Sequence, residues 1–462
     1  ACSRSELDGI VSECGGVVRL TRVNKKQHEF LSALLLAALI AISSAALACA
    51  DGRSASRSGS SEYAEATGSD SLVRVLAAEL LPEVETLSGL PAKRPLALAV
   101  RSRDELETFL TSQLSDQLPP ERSEALVRSY ARLGLLPPEL VLDELLRDLL
   151  LEQVVGYYDP ARDTLYVMEG LDPALVEPVL AHEMVHALQD QYTDLDSLMR
   201  ANQTANDRAT AAQSALEGHA TLAMLEWQLA RLTGGSLGLD ALPSFSSLPE
   251  DALMEAAGLE MPALATAPRL IRESLIFPYL GGLEFVRVRW KAEGGTRFAP
   301  LGDEMPESTE QVLHPDRAFG QVRDDPVGLA FAAPVPPGRV EVHADGLGEL
   351  ETRIWLREHL DDRERAEAAA AGWDGDRYRL TDGDDGEVFT WVTAWDSRDE
   401  ADEFAAAARE VATTRRRAEP ERRLDIVSRM QDGVPLVILT DRPAGLDATL
   451  IDTSVSIEPS GR

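Results

Sequence analysis

The pattern of apolar and polar positions predicts that the first half of the chain is mostly helical. Between residues 70 and 150, we predict a short strand over 96–100 and four helices, over 71–88, 103–117, 121–133 and 138–151. The pairs Pro119-Pro120 and Pro137-Pro138 mark helix starts, where proline is tolerated. A longer helical pattern extends over residues 205–231.

Two β-rich runs lie between these helical segments. Residues 154–158 and 164–168 are separated by a turn that contains Pro160, and this pattern predicts a hairpin. Further on, composition predicts loops over 236–249 and 300–306, with helical stretches from the first loop to residue 291. In the simplest interpretation, the hairpin has no binding role and only closes a small sheet.

A proline cluster at residues 333–338 marks a predicted domain boundary. Beyond it we predict a helix over 347–371, two strands over 377–380 and 388–395, a helix over 398–415, and two strands over 424–431 and 436–440. This alternation is typical of a small α+β domain with antiparallel strands. The chain is therefore expected to be α+β and mostly helical, with a main domain at 67–332 and an accessory domain at 339–458.

The amino terminus has the features of a secretory signal. Lys25 and Lys26 precede an uncharged run that ends in Leu47-Ala48-Cys49, a pattern that is similar to a lipoprotein cleavage site. We expect residues 1–50 to be a leader and 51–66 a flexible linker, with Cys49 lipidated. The alternative is an uncleaved membrane anchor, because the apolar run is just long enough to span a bilayer. Val23 is a candidate initiator.

Net charge and cysteine content limit the possible partners and zinc ligands of the chain. The formal net charge of -33 argues against nucleic acid as a partner, since phosphate contacts need a basic patch. The only cysteines are Cys2, Cys14 and Cys49, so a processed chain has no thiolate for disulfides or zinc. Any zinc ligands must be histidines or carboxylates.

The first candidate catalytic and metal-binding residues lie in an HExxH motif at residues 182–186. His182 and His186 stand one turn apart on the same face of a predicted helix, so both imidazoles can bind one Zn²⁺ ion. Glu183 points beside that face and can act as the general base on a zinc-activated water. The alternative is a helix of the hydrophobic core, in which both histidines have hydrogen-bond partners and the glutamate is exposed.

The third zinc ligand separates the metallopeptidase classes. A metzincin would have a third histidine where this chain has Tyr192, so that class is excluded. Glu217 lies on the next long helical segment, within Ala-Leu-Glu-Gly-His-Ala-Thr. Here the chain resembles the gluzincin class of zinc metallopeptidases, whose third ligand is a glutamate on that helix. His219 is a rival ligand, but a helix turns it about 200° away from Glu217.

The resemblance extends over about residues 70–320. It is similar to a group of uncharacterised bacterial gluzincin-like lipoproteins, and rests on these segments: YYDP (157–160), TLYV (164–167), AHEMVHALQDQ (181–191), ALEGHAT (215–221), FPY (277–279) and PESTE (306–310). It implies a gluzincin-like catalytic domain with a small antiparallel sheet. It also implies that the strand nearest the zinc, which we expect within 165–168, is an edge that binds an extended polypeptide.

Residues around the ligands are expected to support catalysis. Better-known gluzincins place an aspartate where this chain has Thr221, so Thr221, Asp190 and Asp207 are alternative partners for the imidazoles. Tyr279 and His314 are candidate donors to the oxyanion of the transition state. Each of these residues also has a purely structural interpretation, as a helix surface, a packed aromatic ring or a turn.

The sequence therefore predicts zinc-dependent hydrolysis of peptide bonds outside the cytoplasmic membrane. His182, His186 and Glu217 would hold one Zn²⁺ ion, and Glu183 would be the catalytic base. The alternative function is a surface-anchored binding or assembly protein with a structural or degenerate zinc site. The number of protein ligands separates the two, because a structural site has a fourth protein ligand and a catalytic site keeps a water.

Overall fold

The computed structural model of the chain describes residues 68–202, 205–239, 244, 262–292, 294 and 297–458. The predicted leader, the linker and Cys49 lie outside these ranges, as does most of the predicted loop at 236–249. None of the described helices combines the length and the apolar composition needed to cross a bilayer.

Helices dominate the described residues before position 320, as the apolar pattern predicts. They are α1 (Gly68–Ser88), α2 (Arg103–Gln117), α3 (Pro120–Leu133), α4 (Leu142–Gln153), α5 (Pro173–Tyr192), α6 (Leu195–Ala201), α7 (Asn206–Thr233), α8 (Pro262–Thr266), α9 (Arg269–Ala292), α10 (Thr309–Leu313) and α11 (Pro315–Phe319). Local signals set several boundaries. Ser102 and Glu105 form a capping box at the start of α2, and Gly234 ends α7 in the left-handed conformation.

A three-stranded sheet lies beside these helices. It contains β1 (Ala97–Arg101), β2 (Gly156–Asp159) and β3 (Thr164–Met168), in the order β1-β3-β2. The predicted hairpin is confirmed, because β2 and β3 pair antiparallel. The expectation of an antiparallel sheet is wrong in one respect, since β1 pairs parallel to β3. This pairing also makes β3 the central strand, so the predicted edge at 165–168 is not an edge and β2 takes that place.

The remaining elements form an α+β unit. They are β4 (Gly328–Phe331), β5 (Arg339–Asp345), α12 (Gly348–His359), α13 (Arg363–Ala370), β6 (Trp373–Gly383), β7 (Val388–Trp395), α14 (Arg398–Ala418), β8 (Arg422–Gln431), β9 (Val434–Pro443) and β10 (Val455–Glu458). Five strands form an antiparallel sheet in the order β5-β6-β7-β9-β8, which confirms the predicted antiparallel pairing. The edge strand β5 was not predicted. The single helix predicted over 347–371 is two helices, because Asp362 caps the start of α13.

The central strand β7 is buried along its whole length because both faces of the sheet are covered. On one face, Trp391 packs against Trp355 of α12, with ring centroids 5.3 Å apart. On the other face, Val392 packs against a two-stranded ribbon of β4 and β10, which the sequence pattern did not predict. A shared apolar cluster joins α3 to this unit, since it includes Val127 as well as Trp355.

Candidate metal centre

Two neighbouring helices bring together the residues of the metal centre. Helix α5 begins at Pro173, where the side chain of Asp172 accepts a hydrogen bond from the backbone N–H of Ala174. Both histidines lie in the buried middle of α5, and Glu217 lies in the buried middle of α7. The two helices pack against each other, so the imidazoles and the carboxylate face one another.

The three side chains form a tight triangle. His182 Nε2 lies 3.1 Å from Glu217 Oε2 and 3.1 Å from His186 Nε2. The third side, between His186 Nε2 and Glu217 Oε2, is 3.3 Å. A tetrahedral ion about 2.05 Å from each ligand needs ligand atoms about 3.3 Å apart. The triangle therefore has the size that one small metal ion requires, and this group could hold one.

The centre is buried and strongly charged. His182, His186 and Glu217 are 0%, 2% and 0% exposed. Burial acts to raise the pKa of Glu217, but the imidazoles of His186 and His182 together outweigh it and lower that pKa to about 2. Burial acts to lower the pKa of His186, but the carboxylate of Glu217 raises it to about 9. Glu217 is therefore ionised at neutral pH, and a positive charge is favoured beside it.

Neither predicted aspartate partner contacts the ligand imidazoles. Asp190 accepts hydrogen bonds from the Tyr158 hydroxyl and from the backbone N–H of Leu195. Asp207 instead accepts from the backbone N–H of Thr309 at 3.0 Å, and also from its hydroxyl. Thr221 has no hydrogen-bond partner for its buried hydroxyl within the described ranges. None of the three predicted orienting residues supports a ligand.

The partner of His186 is Gln189, which sequence reasoning missed. Its side-chain oxygen lies 2.8 Å from His186 Nδ1, and its nitrogen donates to the carbonyl of Leu216 at 3.0 Å. The same nitrogen lies 3.0 Å from Nδ1 of His219. The signal in the sequence was the position of Gln189, three residues after a ligand and therefore on the same face of α5.

His219, the rival ligand, does not join the triangle. Its Nε2 lies 2.9 Å from the backbone carbonyl of Ser88 at the end of α1. Burial lowers the pKa of His219 to about 4, so its imidazole is neutral at physiological pH. His219 therefore contributes to the centre through its contact with Gln189.

Glu183 is fully buried and lies beside the ligands. Its negative charge contributes to the raised pKa of His186. The neighbouring strand is β2, because a Cβ atom at Gly156 would lie only 3.6 Å from Glu183 Cγ and 2.5 Å from Val179 Cγ1. Only a glycine allows this strand to approach the helix so closely.

Helix α9 forms a third wall of the centre. Its close approach depends on Gly218 and Gly282, since a Cβ at Gly282 would lie 1.8 Å from the carbonyl oxygen of Ser214 on α7. This crossing places Tyr279 against His182, with ring centroids 6.4 Å apart and the planes inclined by 29°. His314 lies elsewhere, because its Nε2 pairs with Oε1 of Glu349 at 2.9 Å.

The comparisons with known proteins give one match outside the metal centre and one solved structure of low structural similarity. Residues 337–441 match the family model of a domain of unknown function (DUF8575). A search of the curated proteins finds no match. Among solved structures, the chain is similar to the crystal structure of a candidate hydrolase with a novel fold from Chloroflexus aurantiacus, with 18% identity and a TM-score of 0.34. That match covers 64% of this chain and 98% of the other. The family model includes none of the residues of the metal centre.

Proposed function

We propose that the protein is a zinc metallopeptidase of the gluzincin type. The observation that carries the proposal is the convergence of His182 Nε2, His186 Nε2 and Glu217 Oε2 within 3.3 Å of one another. The donor set of two imidazoles and one carboxylate, without a thiolate, suits Zn²⁺. A bound Zn²⁺ would act as a Lewis acid and lower the pKa of a water molecule.

The number of ligands supports a catalytic rather than a structural ion. Within the residues that the structure describes, the group contains three ligands and not four, so the fourth position of a tetrahedral ion is left for water. One observation favours the alternative of a surface protein with a structural ion. The three ligands and Glu183 are at most 2% exposed.

Two residues of the chain supply the remaining chemistry in this proposal. Glu183 accepts a proton from the attacking water and passes it to the leaving amine, a role that its position next to His182 allows. Tyr279 donates a hydrogen bond to the developing oxyanion, since its ring packs 6.4 Å from that of His182. His314 is assigned no role in catalysis because it pairs with Glu349.

The proposed substrate is a polypeptide outside the cytoplasmic membrane. Strand β2 is an edge of its sheet and lies beside Glu183, so a peptide that pairs with β2 would run past the base. All four residues of β2 are buried, so this pairing requires the edge to be uncovered first. Lipidation at Cys49 would hold the enzyme on the membrane. The net charge of -33 makes a nucleic acid an unsuitable partner.

The test is the substitution Glu183→Gln in the purified protein. Because Glu183 is not a ligand, the variant should keep one equivalent of zinc and lose at least about 10²-fold in hydrolysis of an unfolded protein substrate. Glu177→Gln is the matched control, since Glu177 lies on the same helix and pairs with Arg231 on the surface. Full activity of Glu183→Gln, or a wild-type protein without zinc, would refute the proposal.

A further inference from the structure

A continuous chain of hydrogen bonds runs from a backbone carbonyl to the metal centre. It begins at the carbonyl of Ser88, passes through His219 and the amide of Gln189, and ends at Nδ1 of His186. The three contacts measure 2.9, 3.0 and 2.8 Å. Every residue along it is at most 2% exposed, so water does not compete for these hydrogen bonds.

The donor in each of these contacts is fixed by the carbonyl groups. A carbonyl oxygen only accepts, so His219 donates from Nε2 to the Ser88 carbonyl, and the Gln189 nitrogen donates to the Leu216 carbonyl. The same nitrogen also lies 3.0 Å from His219 Nδ1. This arrangement excludes the flipped amide. The Gln189 oxygen must then face His186, so His186 donates from Nδ1 and, when the ring is neutral, has its lone pair on Nε2.

We propose that Gln189 is a positioning residue that fixes the metal-binding tautomer and the ring orientation of His186. The inference rests on the proposed function, since it assumes that the triangle binds a divalent ion. Gln189 acts through His186 and touches neither the ion nor the substrate. It also joins α5 to α7 through Leu216 and, through His219, to the end of α1. One side chain thus holds the relative positions of three helices at the centre.

A neutral amide differs from the carboxylate that more commonly accepts from a ligand imidazole. Glu217 and Glu183 already place two carboxylates in this buried region, and a third would add a negative charge that one divalent ion does not balance. The amide orients His186 without further negative charge. It also provides the two N–H groups that a carboxylate lacks, and both are used.

The decisive experiment compares Zn²⁺ affinity, measured by competition with a chromophoric chelator, and the visible spectrum of the Co²⁺-loaded protein. Gln189→Leu should lower Zn²⁺ affinity 10- to 100-fold, as is typical when a partner of a ligand is removed. It should also alter the Co²⁺ spectrum, which a loss of stability that leaves the ligand geometry intact would not do. Gln191→Leu is the matched control, because this buried glutamine on the same helix binds the backbone of Lys93 and Arg94 instead. We expect it to leave both measurements unchanged.

Gln189→Glu separates positioning from packing. A glutamate still accepts from His186 but cannot donate to Leu216 and His219, so the variant should lose stability while keeping most of the Zn²⁺ affinity. The proposal is overturned if Gln189→Leu binds Zn²⁺ as the wild type does, or if Gln189→Glu is as weak as Gln189→Leu. A wild-type protein that fails to bind Zn²⁺ would instead refute the proposed function.

Discussion

Two groups of side chains in this protein each bring three potential metal ligands together, and they differ in what balances their charge. The first is the metal centre of His182, His186 and Glu217. The second, which we call the arginine-centred group, consists of Glu310, Asp324 and Asp396 around Arg317. Arg317 Nη1 lies 3.0 Å from Glu310 Oε1 and 2.6 Å from Asp324 Oδ2, and it also pairs with Asp396.

The difference shows that convergence of acidic ligands is not sufficient to identify a metal site. In the arginine-centred group, a guanidinium already occupies the position that an ion would take, with a fixed geometry suited to carboxylates. In the metal centre, Glu217 pairs with the two imidazoles, which carry no fixed charge and can hold either a proton or, through a lone pair, a metal ion. Among the described residues, the arginine-centred group thus contains its own built-in cation, Arg317. The metal centre instead requires a proton or a metal ion.

The largest expected effect comes from removing the carboxylate of the metal centre. Glu217→Ala takes away a ligand itself, so Zn²⁺ affinity should fall by more than the 10- to 100-fold typical of a lost orienting partner. The measurement is zinc content after dialysis, together with competition titration. Glu310→Ala is the matched variant in the other group and should leave zinc content unchanged. Equal loss of zinc in both variants would contradict the distinction between the two groups.

A smaller effect is expected when the built-in cation is removed. Arg317 is 23% exposed, so Arg317→Met should lower the free energy of unfolding by about 2–3 kcal/mol, between the values for exposed and buried ion pairs. The variant also leaves the carboxyl groups of the arginine-centred group without their cation. Urea unfolding should therefore show that 10 mM Ca²⁺ restores about 1.4 kcal/mol to the variant, as for a site with a Kd of about 1 mM. Equal stabilisation of the wild type would show that Arg317 does not take the place of an ion.

The sequence predicts those features of the metal centre that depend on a single helix. The helical period alone places His182 and His186 on one face of α5. Glu217 required the family resemblance, because no local pattern specifies how α5 packs on α7. Gln189 was missed for a related reason. Its role depends on a carbonyl of α7 and on His219, and neither contact follows from the sequence of α5.

The same limit applies to the fold. The helices α1, α2 and α3 follow from apolar spacing, prolines and the capping box, which are all local. The parallel pairing of β1 with β3 depends on a distant segment, and so does the pairing of β4 with β10. A short strand does not specify its partner, since main-chain hydrogen bonds are the same for every sequence.

The smallest expected effect tests the protonation state within the arginine-centred group. Burial raises the pKa of Glu310 to about 10 from 4.5, although Arg317 acts in the opposite direction. Because the folded pKa lies above the unfolded one, the contribution of Glu310 to stability is fully present below pH 4.5. It is lost as the pH rises towards 10. Glu310→Gln imitates the protonated acid and should remove this loss.

The stability of Glu310→Gln relative to wild type should therefore increase with pH. We expect a gain of at least about 1 kcal/mol between pH 5.5 and 8, where a fully displaced proton would give roughly 1.4 kcal/mol for each pH unit. Urea unfolding across this range provides the measurement. Glu304→Gln is the control, since this exposed glutamate should show no such trend. A difference that falls with pH would mean that Glu310 is ionised and that its pairing with Arg317 outweighs burial.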